Sequence, residues 1–344
     1  MKFEDILEIK NGRNQRAVEN PRGKYPIYGS GGIMGYADDY ICDAYTVIIG
    51  RKGNINNPIF VEEPFWNVDT AFGLSANTDV ILPRFLYYFC KKFDFERLNK
   101  TVTIPSLTKS DLLKIEIEPP NLLQQRDIVE RLTKIERIIA LRKLELKLLD
   151  DLTRARFVEM FGDIRYEEKY QGIPLRRLCT TISGGTPSTK CSEYYEGNIP
   201  WISTVSLGPN YIDGSTAKGY ITQEAIDNSA TKLIPAGNIL FGTRVGVGKS
   251  SINDVALCIN QDIVAIVGID KNRFNVLFIK YVLDTYQSYY DSIKKGATIL
   301  GITGDDLKNT LIPVPPLELQ NQFADFVKVV DKSKFTKTFR PLRC

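Results

Sequence analysis

The amino-acid sequence predicts an α/β chain of the α+β kind, built as two tandem pseudo-repeated domains joined by a long helical coiled-coil spacer. Three observations carry that expectation. The chain has 344 residues, more than one ordinary domain holds. It matches itself at a nearly constant offset. A stretch after residue 120 repeats apolar residues at heptad spacing.

The self-match begins where Val47–Gly53 aligns with Leu240–Gly246, an offset of 193 residues. Arg51 falls on Arg244, Gly53 on Gly246, Asn67 on Asn260, Asp69 on Asp262 and Phe85 on Phe278. The offset then becomes 195 and holds. Leu107-Thr108 matches Ile302-Thr303, Asp111-Leu112 matches Asp306-Leu307, Ile117 matches Ile312, and Gln125 matches Gln320. Each copy follows one plan. Short β-like runs broken by Gly, Pro and Asn come first, such as TVIIG and NILFGT. A short aromatic helix follows, at about 83–99 and 276–292, with Pro83 suited to a first turn. A β-like run into a proline turn and a longer helix close the copy. The boundaries expected are 1–119 and 161–314 for the two domains, 120–160 for the spacer helix, and 315–344 for a shortened distal helix with a basic tail.

The spacer seam reads Ile128, Leu132, Ile135, Ile139, Arg142, Leu146 and Leu149, stepping by four and three. Ile138, Leu141, Leu144, Leu148 and Leu152 widen the apolar face beyond a two-stranded seam. A helix packed on its own domain would account for a shorter run. The length of the seam favours a coiled coil between the repeats.

Composition excludes several classes of protein. Hydrophobic residues make up 43% and charged residues 25%, as in folded soluble proteins. No stretch of about 18 apolar residues predicts a membrane span. The start of the chain has no secretory pattern, and the six cysteines are scattered without a C-x-x-C pair. Both point to reduced thiols in the cytoplasm. Histidine is absent, which removes the usual general base, triad partner and zinc ligand, though not carboxylate-held Mg²⁺ chemistry. The net charge of +4 is concentrated at the end. Lys328–Cys344 carries six basic residues and one acid, so the body is near neutral. Any DNA binding must use local patches.

Several motifs fail on spacing. In GVGKS, Gly246–Ser250, the P-loop's first glycine position is held by Thr243. GSGGIMG has Met34 where a dinucleotide fingerprint needs its third glycine. Asn57-Pro58-Ile59-Phe60 lacks the second proline of the adenine-methyltransferase motif. The triplets Glu8–Lys10, Glu145–Lys147 and Glu167–Lys169 have no Pro-Asp before them and read as solvated faces, not a nuclease site.

Two proline turns lead into long helices: Ile312–Gln320 reads I-P-x-P-P-L-x-x-Q, and Ile117–Gln125 keeps its Ile117, Pro120, Leu122 and Gln125. With the segments Ser183–Ser203 (SGGTPSTKCSEYYEGNIPWIS) and Tyr28–Tyr36 (YGSGGIMGY), the chain resembles specificity subunits of type I restriction–modification enzymes over nearly its whole length. The resemblance implies two target-recognition domains, each reading half of a bipartite double-stranded DNA site. It implies antiparallel helices that set the distance between the halves. It further implies docking of two methyltransferase (modification) subunits and of restriction subunits. S-adenosylmethionine, ATP and Mg²⁺ then belong to those partners, and this chain needs no catalytic residue, metal or cofactor.

DNA contacts are expected in loops rich in Arg, Lys, Asn, Ser and Tyr. The candidates are Lys10, Arg13, Asn14, Gln15, Arg16, Arg51 and Lys52 in the first copy. In the second they are Thr186, Ser188, Lys190, Tyr194, Lys218, Arg244 and Lys249. Arginine can grip guanine with two bonds, and lysine and serine suit phosphate. A solvated surface side chain is the ordinary explanation for any single one. Arg51 and Arg244 stand out because both copies place arginine in the same glycine-flanked turn, although a structural ion pair would give the same pattern. The seam residues Ile128, Leu132, Ile135, Ile139, Leu146 and Leu149 are the expected spacer and subunit interface. The rival readings are a stand-alone methyltransferase or nuclease, a coiled-coil adaptor, and an inactive truncated specificity subunit.

Two expectations concern the helices. The second closing helix should break after Val327 into KSKFTKTFRPLRC, disordered beyond about Ser333, leaving apolar surface near Leu141–Leu152 exposed and the isolated chain poorly soluble. The first, over about 126–158, should run roughly 50 Å at about 1.5 Å per residue. That spans about fourteen base pairs at about 3.4 Å each, as a ruler between half-sites.

Overall fold

The computed structural model describes residues 1–101, 104–167, 169–296 and 298–336. The chain divides into two compact units, Met1–Lys143 and Leu144–Cys344, with the division inside one long helix.

In the first unit α1 (Phe3–Ile6) leads into β1 (Leu7–Asn11), followed by β2 (Tyr25–Gly29), β3 (Gly32–Ala37), β4 (Thr46–Gly50), β5 (Ile59–Val61), β6 (Trp66–Asn67) and β7 (Ala71–Ala76). They form an antiparallel sheet in the order β1-β7-β4-β5 and a smaller one ordered β3-β2-β6, in which β2 and β6 run parallel. The TVIIG run is β4. All five of its residues are buried because it is an inner strand of the larger sheet. Helix α2 (Pro83–Lys92) buries Leu86 and Cys90 in one core with Phe3, Ile9, Val47, Ile49, Phe72 and Leu74. It stops earlier than the expected 99, because the backbone turns extended at Phe93 and a separate 3₁₀ turn covers Phe95–Leu98. Then come α3 (Lys109–Leu113) and α4 (Leu122–Phe161).

The second unit repeats the order. After β8 (Gly172–Pro174) come β9 (Thr180–Ser183), β10 (Ile199–Ile202), β11 (Tyr211–Ile212), β12 (Gly219–Ile221), α5 (Gln223–Asp227) and β13 (Leu233–Ile234). They are followed by β14 (Ile239–Gly242), β15 (Ser250–Asn253), β16 (Leu257–Ile259) and β17 (Ile263–Val267). The larger sheet is β9-β17-β14-β15 with β11 added at its edge, and the smaller is β12-β10-β16-β13, where β10 and β16 again run parallel. The expected helix over 276–292 is two helices, α6 (Val276–Thr285) and α7 (Gln287–Ile293), broken at Tyr286. Then follow α8 (Gly304–Lys308), β18 (Leu311–Pro313), which pairs with β8, and α9 (Leu317–Thr336). The core gathers Phe161, Phe241, Phe278, Tyr290 and Phe323.

The repeated sequence positions are explained by hydrogen bonds. Gln125 is fully buried. Its Oε1 accepts the Leu82 N–H at 2.8 Å, and its Nε2 donates to the Val80 and Pro120 carbonyls at 2.9 and 2.8 Å. Gln320 does the same with the Asn275 N–H at 2.9 Å and the Arg273 and Pro315 carbonyls at 3.1 and 2.8 Å. These partners are equivalent in the two copies. Likewise Thr108 and Thr303 cap α3 and α8, each accepting from the N–H of the matched aspartate, Asp111 or Asp306, at 3.1 Å.

Helix α4 has 40 residues and is longer at both ends than expected. The Asn121 side chain accepts the Gln124 N–H at 3.0 Å, starting the helix directly after Pro119-Pro120. At the far end Gly162 donates to the Val158 carbonyl at 2.8 Å. At about 1.5 Å per residue this helix is roughly 60 Å long. Ile135, Ile138, Ile139, Leu141, Leu144, Leu148 and Leu152 are each about half exposed along it.

The expected break in the closing helix is not found. α9 continues through Lys332 and Ser333 to Thr336. Lys334 pairs with Asp331 one turn back at 3.4 Å and with Asp150 of α4 at 2.7 Å, and the Ser333 hydroxyl donates to the Val329 carbonyl. Polar contacts thus sustain a segment that lacks a heptad seam. Residues 337–344, the rest of the expected disordered tail, lie outside the described residues. Within the second unit α9 runs antiparallel to the end of α4. Phe323 packs on Phe157 and Phe161, Phe326 lies under Arg156, and Lys334 reaches Asp150.

Gln125→Ala and Gln320→Ala should each leave one buried N–H and two carbonyls short of a partner, costing about 3 kcal/mol. Denaturant titration of each variant checks this, and a loss below about 1 kcal/mol would mean the glutamines are not the tie described. Asp306 is held below the usual carboxylate range, chiefly by hydrogen bonds from the Thr303 side chain and N–H. A depressed carboxylate contributes stability above its unfolded value, and that is lost as pH falls through its folded value. Thr303→Ala should therefore cost about 1 kcal/mol at neutral pH. The difference from the parent chain should shrink in melting curves taken from about pH 5 down to pH 2.

Candidate nucleic-acid interface

In the first unit four loops meet at one end of the larger sheet. The loop after β1 is tied by the Arg13 N–H to the Asn67 carbonyl at 2.8 Å, and the Trp66 indole donates to the Arg13 carbonyl at 3.0 Å. The loop after β4 is tied by the Arg51 N–H to the Thr70 carbonyl at 2.7 Å. Gly53 then donates to the Pro105 carbonyl and Leu107 to the Arg51 carbonyl, which brings in the 104–107 segment. The turn 67–70 is thus the hub. The β2–β3 hairpin leans on the same place, with Asn54 Nδ2 donating to the Ser30 carbonyl at 3.4 Å.

The second unit builds the same arrangement. Gly185 donates to the Ile259 carbonyl at 2.9 Å, and the Trp201 indole donates to the Gly185 carbonyl at 3.1 Å. Thr243 donates to the Asp262 carbonyl at 2.8 Å, and Ile302 to the Thr243 carbonyl at 2.8 Å. The loops after β9 and β14, the turn 260–262 and the 298–302 segment therefore converge. Gly12 and Gly184 explain how the backbones come so close: a Cβ at these positions would lie 1.8 Å from the Val68 carbonyl oxygen and 2.1 Å from that of Asn260.

The candidate residues distribute as follows. Arg13, Asn14, Arg16, Arg51 and Lys52 are all exposed on the first cluster. Gln15 is half-buried, its carbonyl accepting from Val18 and Glu19. Lys10 is paired with Asp43 at 2.7 Å, which raises its pKa, and so is already engaged. In the second cluster Thr186 donates to Gln261 Oε1, and Arg244 lies 3.7 Å from the Asp262 carboxylate. Ser188 and Lys190 are exposed on the next turn of the same loop. Tyr194 is half-buried against the small core cluster that holds Trp201 and Ile221, and the Lys218 ammonium lies 5.8 Å above the Trp201 ring. Lys249 is set apart from Arg244. It lines a cleft with Arg154, Lys280, Asp284 and Gln287.

The seam is unevenly covered. Ile128, Leu132, Leu146 and Leu149 are half-buried, and Ile135 and Ile139 are exposed. The 104–107 and 298–302 segments, with Lys100 and Lys295 before them, were not singled out in the sequence. One signal did lie near them: the repeat offset changes from 193 to 195 between Phe85 and Leu107.

GVGKS is the β14–β15 turn. Gly246 and Gly248 adopt φ of +70° and +85°, and Gly248 donates back to the Gly242 carbonyl at 3.0 Å. Burial pushes the thiols of Cys42 up to about 12 and of Cys179 and Cys258 up to about 11, so these sulfurs are poor nucleophiles.

The sequence model of the type I restriction modification DNA specificity domain matches residues 1–149 and 167–339. The chain belongs to this family. The specificity family's fold also appears in a solved structure, the S subunit of a type I restriction-modification system from M. genitalium. It superposes with a TM-score of 0.66 at 16% identity, covering 97% of this chain and 89% of that one. The MjaIX type I specificity subunit of Methanocaldococcus jannaschii is 32% identical over 158 residues, 46% of this chain and 37% of its own length. The EcoR124I/EcoR124II specificity subunit of Escherichia coli is 35% identical over 159 residues, 43% of this chain and 37% of its own length. The chain thus matches little more than a third of each of these two relatives. Among the described residues no helix is long and apolar enough to cross a membrane.

Because Gly248 holds a left-handed conformation in a hairpin, Gly248→Ala should destabilise the chain by about 1–2 kcal/mol. Millimolar ATP should leave the melting temperature of the unaltered chain where it was. A nucleotide-induced rise in thermal shift would reinstate a phosphate-binding role for this turn.

Proposed function

We propose that this chain is the DNA-sequence-specificity subunit of a type I restriction–modification complex. Residues 1–119 and 161–314 each read one half of a bipartite double-stranded site, 120–160 is the spacer, and 315–344 holds the distal helix. The observation that carries this is the recurrence of one four-loop cluster at the same end of a sheet of the same strand order in both units. Loops presented by a rigid sheet suit recognition, and the family's domain description names DNA specificity. Arg13, Asn14, Arg16, Arg51 and Lys52 serve one half-site; Ser188, Lys190, Tyr194 and Arg244 serve the other. The half-exposed apolar residues of α4 support docking of two methyltransferase subunits, with restriction subunits joining them. S-adenosylmethionine, ATP and Mg²⁺ act on those partners, and this chain contributes no catalytic group. A cytoplasmic location follows from that role.

Sequencing the methylome of a host with and without this chain and its modification subunit tests the reading. A new bipartite methylated motif is the expected result, and an unchanged methylome would reject it. In the assembled complex, Arg13→Glu with Lys52→Glu should weaken binding about tenfold or more at moderate salt. The slope of log affinity against log salt should fall by about one for each lost phosphate contact. Gel-shift titration at three salt concentrations measures both. A seven-residue insertion after Leu146 should widen the non-specific gap by a few base pairs and leave both half-sites intact, because it keeps the heptad phase and adds about 10 Å. A changed half-site with an unchanged gap would sink the ruler.

A further inference from the structure

The two matched arginines are held differently. In the second unit the Arg244 side chain is 50% exposed, while Asp262 beside it is 13% exposed. The contact is made through Nε, 3.7 Å from Oδ1. Asp262 is itself locked. Its Oδ2 accepts from Asn260 Nδ2 at 3.1 Å, its N–H donates to Asn260 Oδ1 at 3.2 Å, and its carbonyl accepts from Thr243 N–H and hydroxyl at 2.8 and 3.2 Å. A guanidinium with its Nε side turned to a fixed carboxylate keeps its two Nη groups for a planar, two-point acceptor. The nearby negative charge weakens attraction to a phosphate but leaves the donor geometry intact. The next residue, Val245, is 51% exposed, an apolar neighbour suited to a base edge or a thymine methyl, not to the hydrated backbone.

The first unit lacks this relay. Asn67 Nδ2 turns to the Ala71 carbonyl at 3.1 Å, and its buried Oδ1 has no partner among the described residues. Arg51 directs Nη1, one of the fork donors, toward the Asp69 carbonyl at 3.5 Å, and its neighbour is the exposed Lys52.

We propose that Arg244 reads a guanine in the major groove of the half-site met by the second unit, with Asp262, held by Asn260, as its positioning residue, while Arg51 serves the phosphate backbone. This rests on the DNA-specificity reading above. The test is methylome mapping of the complex assembled with the parent chain, Asp262→Asn, Arg244→Lys or Arg51→Lys. In the parent motif one half-site should carry a required G·C pair. Asp262→Asn and Arg244→Lys should each relax that single position by about tenfold or more, with the other half-site unchanged. Arg51→Lys should lower methylation generally without altering the motif. Relaxation at one base pair is a readout that a merely structural carboxylate would not produce. If Asp262→Asn does not fold, Arg244→Lys, which leaves the Asn260–Asp262 turn intact, decides. An unaltered motif in Arg244→Lys, or a parent motif without a guanine in the affected half, overturns the inference and leaves the specificity reading standing. Absence of any bipartite motif for the parent chain removes the specificity reading and the inference with it.

Discussion

Each unit depends on one buried side-chain amide. Gln125 and Gln320 sit one turn inside the closing helices, and each spends all its main hydrogen-bonding capacity on backbone. One carbonyl partner belongs to the proline turn that starts the helix, and the other two groups belong to the segment that starts the aromatic helix. The amide therefore ties three pieces of chain that are distant in sequence. Proline at 119–120 and 315–316 supplies no N–H to compete for that role and ends the preceding extended run. A buried amide is costly unless fully paired, so the tie admits one geometry.

From that tie the rest of each unit follows in order. The aromatic helix is fixed against the larger sheet, with Leu86 and Cys90 in one unit and Phe278 and Val282 in the other entering the core. The sheet then fixes its loops at one end. Because β1, β4 and β7 are neighbours, the loop after β1, the loop after β4 and the turn before β7 must emerge together, and the same holds for β9, β14 and β17. Gly12 and Gly184 allow the closest backbone approach there. The loop cluster is thus a consequence of strand order, and its chemistry is free to vary in side chains that support no core.

That freedom is visible where the copies diverge. Asn67 and Asn260 match, as do Asp69 and Asp262, and Arg51 and Arg244, yet only the second set forms the chain from amide to carboxylate to guanidinium. Among the described residues, the first leaves a buried amide oxygen without a partner. Under the specificity role proposed above, such local differences would let two similar scaffolds recognise an asymmetric site.

The sequence by itself determined the duplicated plan, the long helix and the family. Those depend on local signals: heptad spacing, proline turns and glycines at tight turns. It also showed that GVGKS could not be a P-loop, since spacing alone decides that. Tertiary structure decided the rest. The sequence paired Arg51 with Arg244 but could not show that only one is braced by a carboxylate, because that depends on which way the Asn67 and Asn260 amides turn. It placed Lys249 with Arg244, five residues away, where the hairpin turns the lysine toward a different cleft. It ended the distal helix too early, because the ion pair of Lys334 with Asp150 joins residues 184 apart and no local pattern announces it. Helix propensity and periodicity are written along the chain; contacts across it appear only when the chain is folded.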